Sequence, residues 1–519
     1  MHILSSNFNL IESNSNWSKL KSSKVSIDKN FNNFHLHLSN NTLLETNVSF
    51  HTIIYLSNNN YKKIFRKIKS LKNILKRFSS KPFFFYFFND PLLSKKNKNN
   101  CLKEIKLSNN LFSNIFIKNF FDCKREKFFN SRNLLYLKFP FDVSTIDFFV
   151  DLIYEKIKQL NSKPYKLLIL DCDNTLWGGV LDENNNKELL YGDSGNGRLF
   201  KKFQLKIKDL KNKGFLLSIC SKNNEKKVWN FFKKRKMALQ KKDFIFSKIN
   251  WSEKSENIFN IVKNLGLRFE DCVFIDDNIL EIKKVQSRIK KINTIHMKNI
   301  VNINKVINNN ERFSKFLISK EDKKKYDQYK LREKYYKFVN KKNNKNLNSK
   351  DVIKDLKQKI KIINYTNSNL KRAEELFQKT NQFNFSLNRY KNSQLMSLNK
   401  NKQYELKMFN LKDKFGDHGI IGAYILKKFD DKIIIVDFLL SCRVLYRFVE
   451  QFILSKISKK FQGKEIIIIH NKSMVNSELI SKFLTNKIFK LLNRNESKYF
   501  YKINLNKKDI NETEKLFSH

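Results

Sequence analysis

Short, almost wholly apolar runs stand out from a chain that is otherwise polar and rich in asparagine and lysine. They are HTIIYLS at 51–57, KPFFFYFFN at 81–89, LLIL at 167–170, FLLSIC at 215–220, CVFI at 272–275 and KIIIVDFLL at 432–440. Continuous apolar runs of this length predict strands buried on both faces, as in a parallel sheet covered by helices. Helical periodicity fills the intervals: from about Ser144 to Leu160, along GRLFKKFQLKIKDLKNKG from Gly197, and from Lys254 to about Leu267. Alternation of the two periods predicts an α/β fold with a Rossmann-like parallel sheet at its centre. The boundaries read as a small α/β domain over 1–160, a core domain over 161–309, a charged helical linker over 310–350 and an α+β domain over 351–519.

Polar chemistry collects at the carboxyl ends of the central strands, where open α/β sheets bind their ligands. The first strand runs into Asp171-Cys172-Asp173-Asn174-Thr175. The second ends in Ser221-Lys222-Asn223, and the third in Asp276-Asp277. Lys254 stands in the first turn of the helix between them. Carboxylates gathered in this way repel one another and need a cation, and Mg²⁺ takes hard oxygen ligands while leaving room for phosphate oxygens. This ordered set resembles the haloacid dehalogenase (HAD) superfamily of phosphoryl-transfer enzymes. The resemblance implies that Asp171 is the nucleophile and Asp173 the acid/base. It implies that Thr175, Ser221 and Lys222 bind phosphate and that Lys254 neutralises charge. Mg²⁺ is then held among Asp171, Asp173, Asp276 and Asp277.

Composition changes the picture less than its extremes suggest. The net charge of +54 over 519 residues would suit a nucleic-acid binder. Lysine far outnumbers arginine, the charge is spread along the chain, and glycine (11) and proline (4) are scarce. That is the mark of AT-biased coding, so no nucleic-acid partner is expected. Six cysteines without a CxxC pair point to neither zinc nor a disulfide framework. No apolar run reaches membrane-spanning length and no signal pattern opens the chain, so a cytoplasmic protein with no membrane partner is expected. Too little chain separates the motifs for a large cap. An open site of that kind suits a macromolecule-borne substrate.

Several further strings occur in one order: LDCDNTLWGGVL, ICSKNN, NWSEKSENI, FIDDN, KTNQFN, FGDHGIIG and LSCRV. Together they resemble the FkbH-like proteins, uncapped HAD phosphatases with a GNAT-like C-terminal domain and a degenerate SGNH-like domain at the N-terminus. The resemblance implies that 1,3-bisphosphoglycerate is dephosphorylated and its glyceryl group loaded onto the phosphopantetheine thiol of an acyl carrier protein. A plain phosphatase with a partner-binding C-terminal domain is the alternative. The turn from the strand at 432–440 into a helix is the arrangement of a GNAT acyltransferase, but its glycine-rich coenzyme A loop is missing. Cys442 in that turn reads either as core packing or as a thiolate nucleophile activated by a helix N-terminus, Arg443 and Arg447. His418 reads as an incidental turn residue or as a base.

Overall fold

The computed structural model describes residues 2–6, 20, 22–23, 25–28, 48–70, 78, 81–111, 114–121, 129–142, 145–181, 189–235, 237–318, 320–343, 349–366, 368–471, 477–495 and 498–518. The chain divides into two compact units, residues 1–165 with 301–323 and residues 166–300 with 324–519. Among the described residues no helix is long and apolar enough to cross a membrane.

The first unit is a parallel five-stranded sheet of β1 (His2–Ser6), β2 (Val25–Asp28), β3 (Ser49–Leu56), β4 (Phe83–Asn89) and β5 (Ile115–Asn119), in the order 2-1-3-4-5. Helices α1 (Tyr61–Ser70), α2 (Lys95–Leu111), α3 (Ser131–Leu137) and α4 (Thr145–Asn161) accompany it. The phenylalanine run of β4 packs on both faces, with Phe83 stacked on Phe50 and Phe88 on Phe120 at 4.6 Å each. Residues beyond 300 return to this unit: Phe316 packs edge-on against Phe84 and Phe116, and Tyr165 N–H donates to the Arg312 carbonyl. The boundary expected at residue 309 is therefore moved, because residues 301–309 go with the first unit.

The second unit holds two sheets. Its parallel sheet consists of β6 (Leu167–Leu170), β7 (Leu216–Ser221), β8 (Lys248–Ile249), β9 (Cys272–Asp276) and β10 (Asn293–His296), ordered 10-9-6-7-8. All of β6, β7 and β9 is buried, as expected of strands covered on both faces. Helices α5 (Gly197–Asn212), α6 (Glu225–Lys234), α7 (Lys254–Leu265) and α8 (Ile279–Arg288) provide the cover. The chain steps outward from β6 to β7 and β8, then crosses back to β9 on the other side of β6. That reversal opens a crevice at the carboxyl ends of β6 and β9. The glycine-rich hairpin expected after the first motif is seen at its arms, where Gly178 and Leu190 pair. Its tip at 182–188 lies outside the described residues.

Within the charged helical linker expected over 310–350 runs one long helix, α9 (Lys320–Asn343), whose side chains join two cores. Tyr326 and Tyr329 join the core of the parallel sheet. One and a half turns on, Tyr335, Tyr336, Phe338 and Val339 join the core of the C-terminal sheet. Between them Arg332 is buried, its Nε donating to the Asn264 carbonyl at 2.7 Å and its Nη1 to the Cys442 carbonyl. The lysines that made this stretch look like a solvated spacer occupy the other positions of an aromatic-faced helix.

The C-terminal sheet comprises β11 (Lys359–Asn364), β12 (Tyr404–Asp413), β13 (Gly416–Lys428), β14 (Lys432–Leu440), β15 (Glu465–Asn471), β16 (Phe489–Arg494) and β17 (Lys498–Ile503) in the order 11-12-13-14-15-17-16. Every pair is antiparallel except β14–β15. Helices α10 (Leu370–Lys379) and α11 (Val449–Lys460) flank it.

Candidate active site

Asp171 follows β6 directly and is nearly fully buried; its N–H donates to Ile275 O at 3.0 Å, tying the chain to β9. The backbone then turns sharply, with Thr175 and Leu176 N–H groups donating to the Cys172 carbonyl. Asn174 takes the left-handed conformation (φ 50°), which asparagine tolerates better than most residues, and its side chain accepts from Gly179 N–H at 2.8 Å. The turn leaves the Thr175 hydroxyl buried with no hydrogen-bond partner.

β9 ends in Asp276, which is fully buried, and Asp277, which is half-buried. From the first turn of α7 the Lys254 ammonium reaches both strand ends, 2.7 Å from Asp276 Oδ2 and 3.1 Å from Asp171 Oδ1. The ion pair with Asp276 is also a good hydrogen bond, whereas that with Asp171 is a charge contact without hydrogen-bonding geometry. Carboxylate oxygens of Asp171, Asp276 and Asp277 lie within 4.8 Å of one another. Three carboxylates thus face one ammonium, an excess of negative charge that a divalent cation would balance.

The electrostatics agree. Burial raises the Asp171 pKa even though Lys254, the Ser221 hydroxyl and the Cys172 N–H all favour its charged form. Burial, then the neighbouring Asp171, pushes Asp276 up to about 6. Asp277 is also raised, by burial and by Asp276. Burial works against the charge on Lys254, but Asp171 and Asp276 outweigh it and raise its pKa. The cluster accordingly holds its lysine cationic and its carboxyls reluctant to ionise together.

Three of the expected site residues stand in other company than their expected roles imply. Asp173 does not join the carboxylate cluster as a metal ligand. Its Oδ1 accepts from Trp177 Nε1 (2.9 Å) and Leu181 N–H (3.1 Å), and its Oδ2 from Asn223 Nδ2 (2.9 Å). Burial raises it to about 6, a value suited to proton transfer near neutrality. Lys222, expected to bind phosphate, has its ammonium paired with Glu281 at 2.8 Å. Ser221 ends β7, and its hydroxyl is among the groups that favour the charged form of Asp171.

The third is Cys442. It lies in a short 3-10 turn (Cys442–Val444), and the next helix begins only at Val449, so no helix N-terminus acts on the thiol. The Arg447 guanidinium turns away to Asp413, 2.8 Å distant. Burial raises the thiol pKa, outweighing the influence of Lys166 and Arg332. His418, also buried, is spoken for by Asp413 at 2.8 Å, and burial lowers its pKa. Cys442 thus has a raised thiol pKa, and His418 is paired with Asp413.

Residues that the sequence reading left without a role complete the site. Asn223 and Trp177 orient Asp173, the Asn174 side chain favours the charged form of Asp277, and His296 Nε2 donates to the Asp277 carbonyl at 2.8 Å. Asn223 stood in a motif as the residue after Ser221-Lys222, but nothing in spacing says that its amide crosses to Asp173. A cavity of about 490 Å³ opens beside Asn174 and Asp277, walled by Phe200, His296, Met297 and Lys298.

No family model and no curated protein matches the chain. Among solved structures it is similar to the N-terminal part of the Bacteroides fragilis protein BF1531, which contains a phosphatase domain and was crystallised with Mg. That likeness has 21% identity and a TM-score of 0.40, over 57% of this chain and 88% of the other. It is also similar to 3-deoxy-D-manno-octulosonate 8-phosphate phosphatase from Moraxella catarrhalis, at 16% identity and TM-score 0.21 over 30% of this chain and 92% of that one. A third likeness is to the PaiA N-acetyltransferase of Thermoplasma acidophilum, at 14% identity and TM-score 0.22 over 28% of this chain and 99% of that one.

Proposed function

We propose that this chain is a Mg²⁺-dependent phosphoryl-transfer enzyme of HAD type. The observation that carries the reading is the meeting of Asp171, Lys254, Asp276 and Asp277 at the crevice of a parallel sheet. Asp171, Asp276 and Asp277 would hold the cation, which supplies charge neutralisation for the transferring phosphoryl group. The Asp171 carboxylate attacks phosphorus, and the leaving oxygen takes a proton from Asp173. Asp173, now ionised, takes a proton from the water that opens the aspartyl-phosphate, and phosphate leaves. Lys254 stabilises charge on the phosphoryl oxygens, and the partnerless Thr175 hydroxyl and Ser221 supply donors to them.

The motif resemblance supports a finer reading: an acyl phosphate such as 1,3-bisphosphoglycerate as substrate and an acyl carrier protein as glyceryl acceptor. The raised pKa of the half-buried Cys442 thiol favours direct transfer to the carrier thiol, or a plain phosphatase, over a Cys442 thioester. Incubation of the full chain with acyl phosphate, Mg²⁺ and carrier protein tests this by two readouts, released phosphate and the intact mass of the carrier. Phosphate without a mass shift on the carrier selects the plain phosphatase. Neither signal, with other phosphate esters also inert, defeats the whole reading.

A further inference from the structure

In the C-terminal sheet the neighbouring parallel strands β14 and β15 separate. They pair from Lys432–Glu465 to Ile435–Ile468, yet β14 continues to Leu440 and β15 to Asn471. Diverging strands leave backbone groups on two facing edges, and buried groups of that kind require partners. An extended, amide-bearing chain would fit such a slot by adding itself as a strand.

The slot already has an occupant, the QFNFS segment. Phe385 N–H donates to Phe438 O (3.0 Å) and Leu440 N–H to Phe383 O (2.9 Å), with Asn384 paired antiparallel to Leu439. From the other side Asn471 donates its N–H to Phe385 O (2.7 Å) and its side-chain amide to Ser386 O (2.8 Å). Phe383 and Phe385 are buried and pack on Phe438 and Phe483. A clasp follows. Asp437, fully buried on β14, accepts from Tyr390 OH (2.6 Å), Asn388 Nδ2 (3.2 Å) and Ser386 Oγ. At the other end the backbone of Gln382 is among the groups that favour the charged form of the half-buried Cys442 thiol.

The helix after β14 is equally unsuited to a pyrophosphate. Its cap residue, Phe448, makes no side-chain capping bond, and its first turn carries Glu450, a buried carboxyl with Oε2 unpartnered. A carboxylate in that place competes with an incoming anion.

We propose that residues 382–388 are a permanent internal plug of this slot, bridged to β14 at Asn384, and that the C-terminal module consequently takes no coenzyme A-type thioester. The acyltransferase-like outline implies that cofactor, and the side chains do not fit it. The inference stands whether or not the phosphatase reading holds, since it concerns a different sheet.

Hydrogen–deuterium exchange of the full chain, with and without millimolar coenzyme A or acetyl-coenzyme A, tests the proposal, alongside calorimetric titration. The expected result is slow exchange over 382–388, equal to that of β13 and β14, no change on adding either thiol compound, and no saturable heat. In Ser386→Ala/Tyr390→Phe, which loosens the clasp, exchange over 382–388 should rise about tenfold or more while β12 and β13 stay as before. Loop-like exchange of the segment in the wild-type chain, or saturable coenzyme A binding that alters it, would overturn the proposal.

Discussion

Lys254 Nζ donates to Asp276 Oδ2 across 2.7 Å, joining the start of α7 to the end of β9 in a buried ion pair. The pair stands in the middle of three carboxylates, so its cation sets the charge of the whole crevice. Lys254→Met should lower phosphate release by about 10³-fold or more, because the buried charges lose their partner and the phosphoryl oxygens lose theirs. Steady-state release measured across a Mg²⁺ titration checks this. Recovery of the variant at high Mg²⁺ would show that the lysine only helps the metal to bind.

Asp171→Asn keeps the size of the side chain and removes the nucleophile. Turnover should fall by several orders of magnitude, on the order of what loss of a covalent nucleophile costs elsewhere. Chelation of divalent cations should abolish wild-type activity reversibly. An Asn variant that still forms an acid-stable or trapped phosphoenzyme at the same residue would contradict the assignment.

Asp173 owes its position to Asn223 and Trp177. Removing the Asn223 amide takes a hydrogen bond from the charged form of a carboxyl already raised to about 6, so the pKa rises further. In Asn223→Ala the corresponding limb of the pH–rate profile should move to higher pH. A profile that keeps its limbs while kcat falls uniformly would assign Asn223 a purely structural role.

Glu450 offers a stability test away from the site. Burial pushes its carboxyl up to about 7, and among the described residues no cation pairs with it. The folded state then binds its proton more tightly than the unfolded state does. Its cost is therefore small near pH 4.5, grows as pH rises, and levels off above about 7. Glu450→Gln should be more stable than wild type at pH 8 by on the order of 1–3 kcal/mol, the gap closing as pH falls toward 4.5. Thermal melts at several pH values provide the comparison.

A thiol with a raised pKa should be a slow one. Iodoacetamide at pH 8 should label Cys442 at least about tenfold more slowly than a free cysteine, since the thiolate is the reactive form and burial disfavours it. Cys442→Ala should leave phosphate release unchanged. Rapid, selective labelling of this sulfur would restore the nucleophile reading.

How much of this was legible in the sequence follows from the range of the interactions. The strands at 167–170, 216–221 and 272–276 announce themselves because a run buried on both faces is apolar at every position, and the crevice residues follow each run immediately. What crosses between strands is not announced. The Asn223 amide, the imidazole of His296 and the Lys222–Glu281 pair depend on where one side chain points relative to another dozens of residues away. Residues 320–343 misled for a different reason: lysine at most outward positions masked the aromatic positions that pack. Cys442 misled because the helix after β14 starts later than its pattern suggests, past two left-handed residues, Tyr446 and Phe448.

The helix over 320–343 also decides whether the molecule is divisible. Arg332 fills the space beside Gly266, where a Cβ would come within 2.5 Å of its guanidinium, and the tyrosines on either side serve two different cores. Cutting the chain near residue 310 would strip an aromatic wall from the parallel sheet and the same helix's other aromatics from the sheet beyond it. A fragment ending there would be expressed as an aggregating half. The smallest portable piece of this chain that keeps the crevice therefore carries the C-terminal sheet with it, whatever that sheet does.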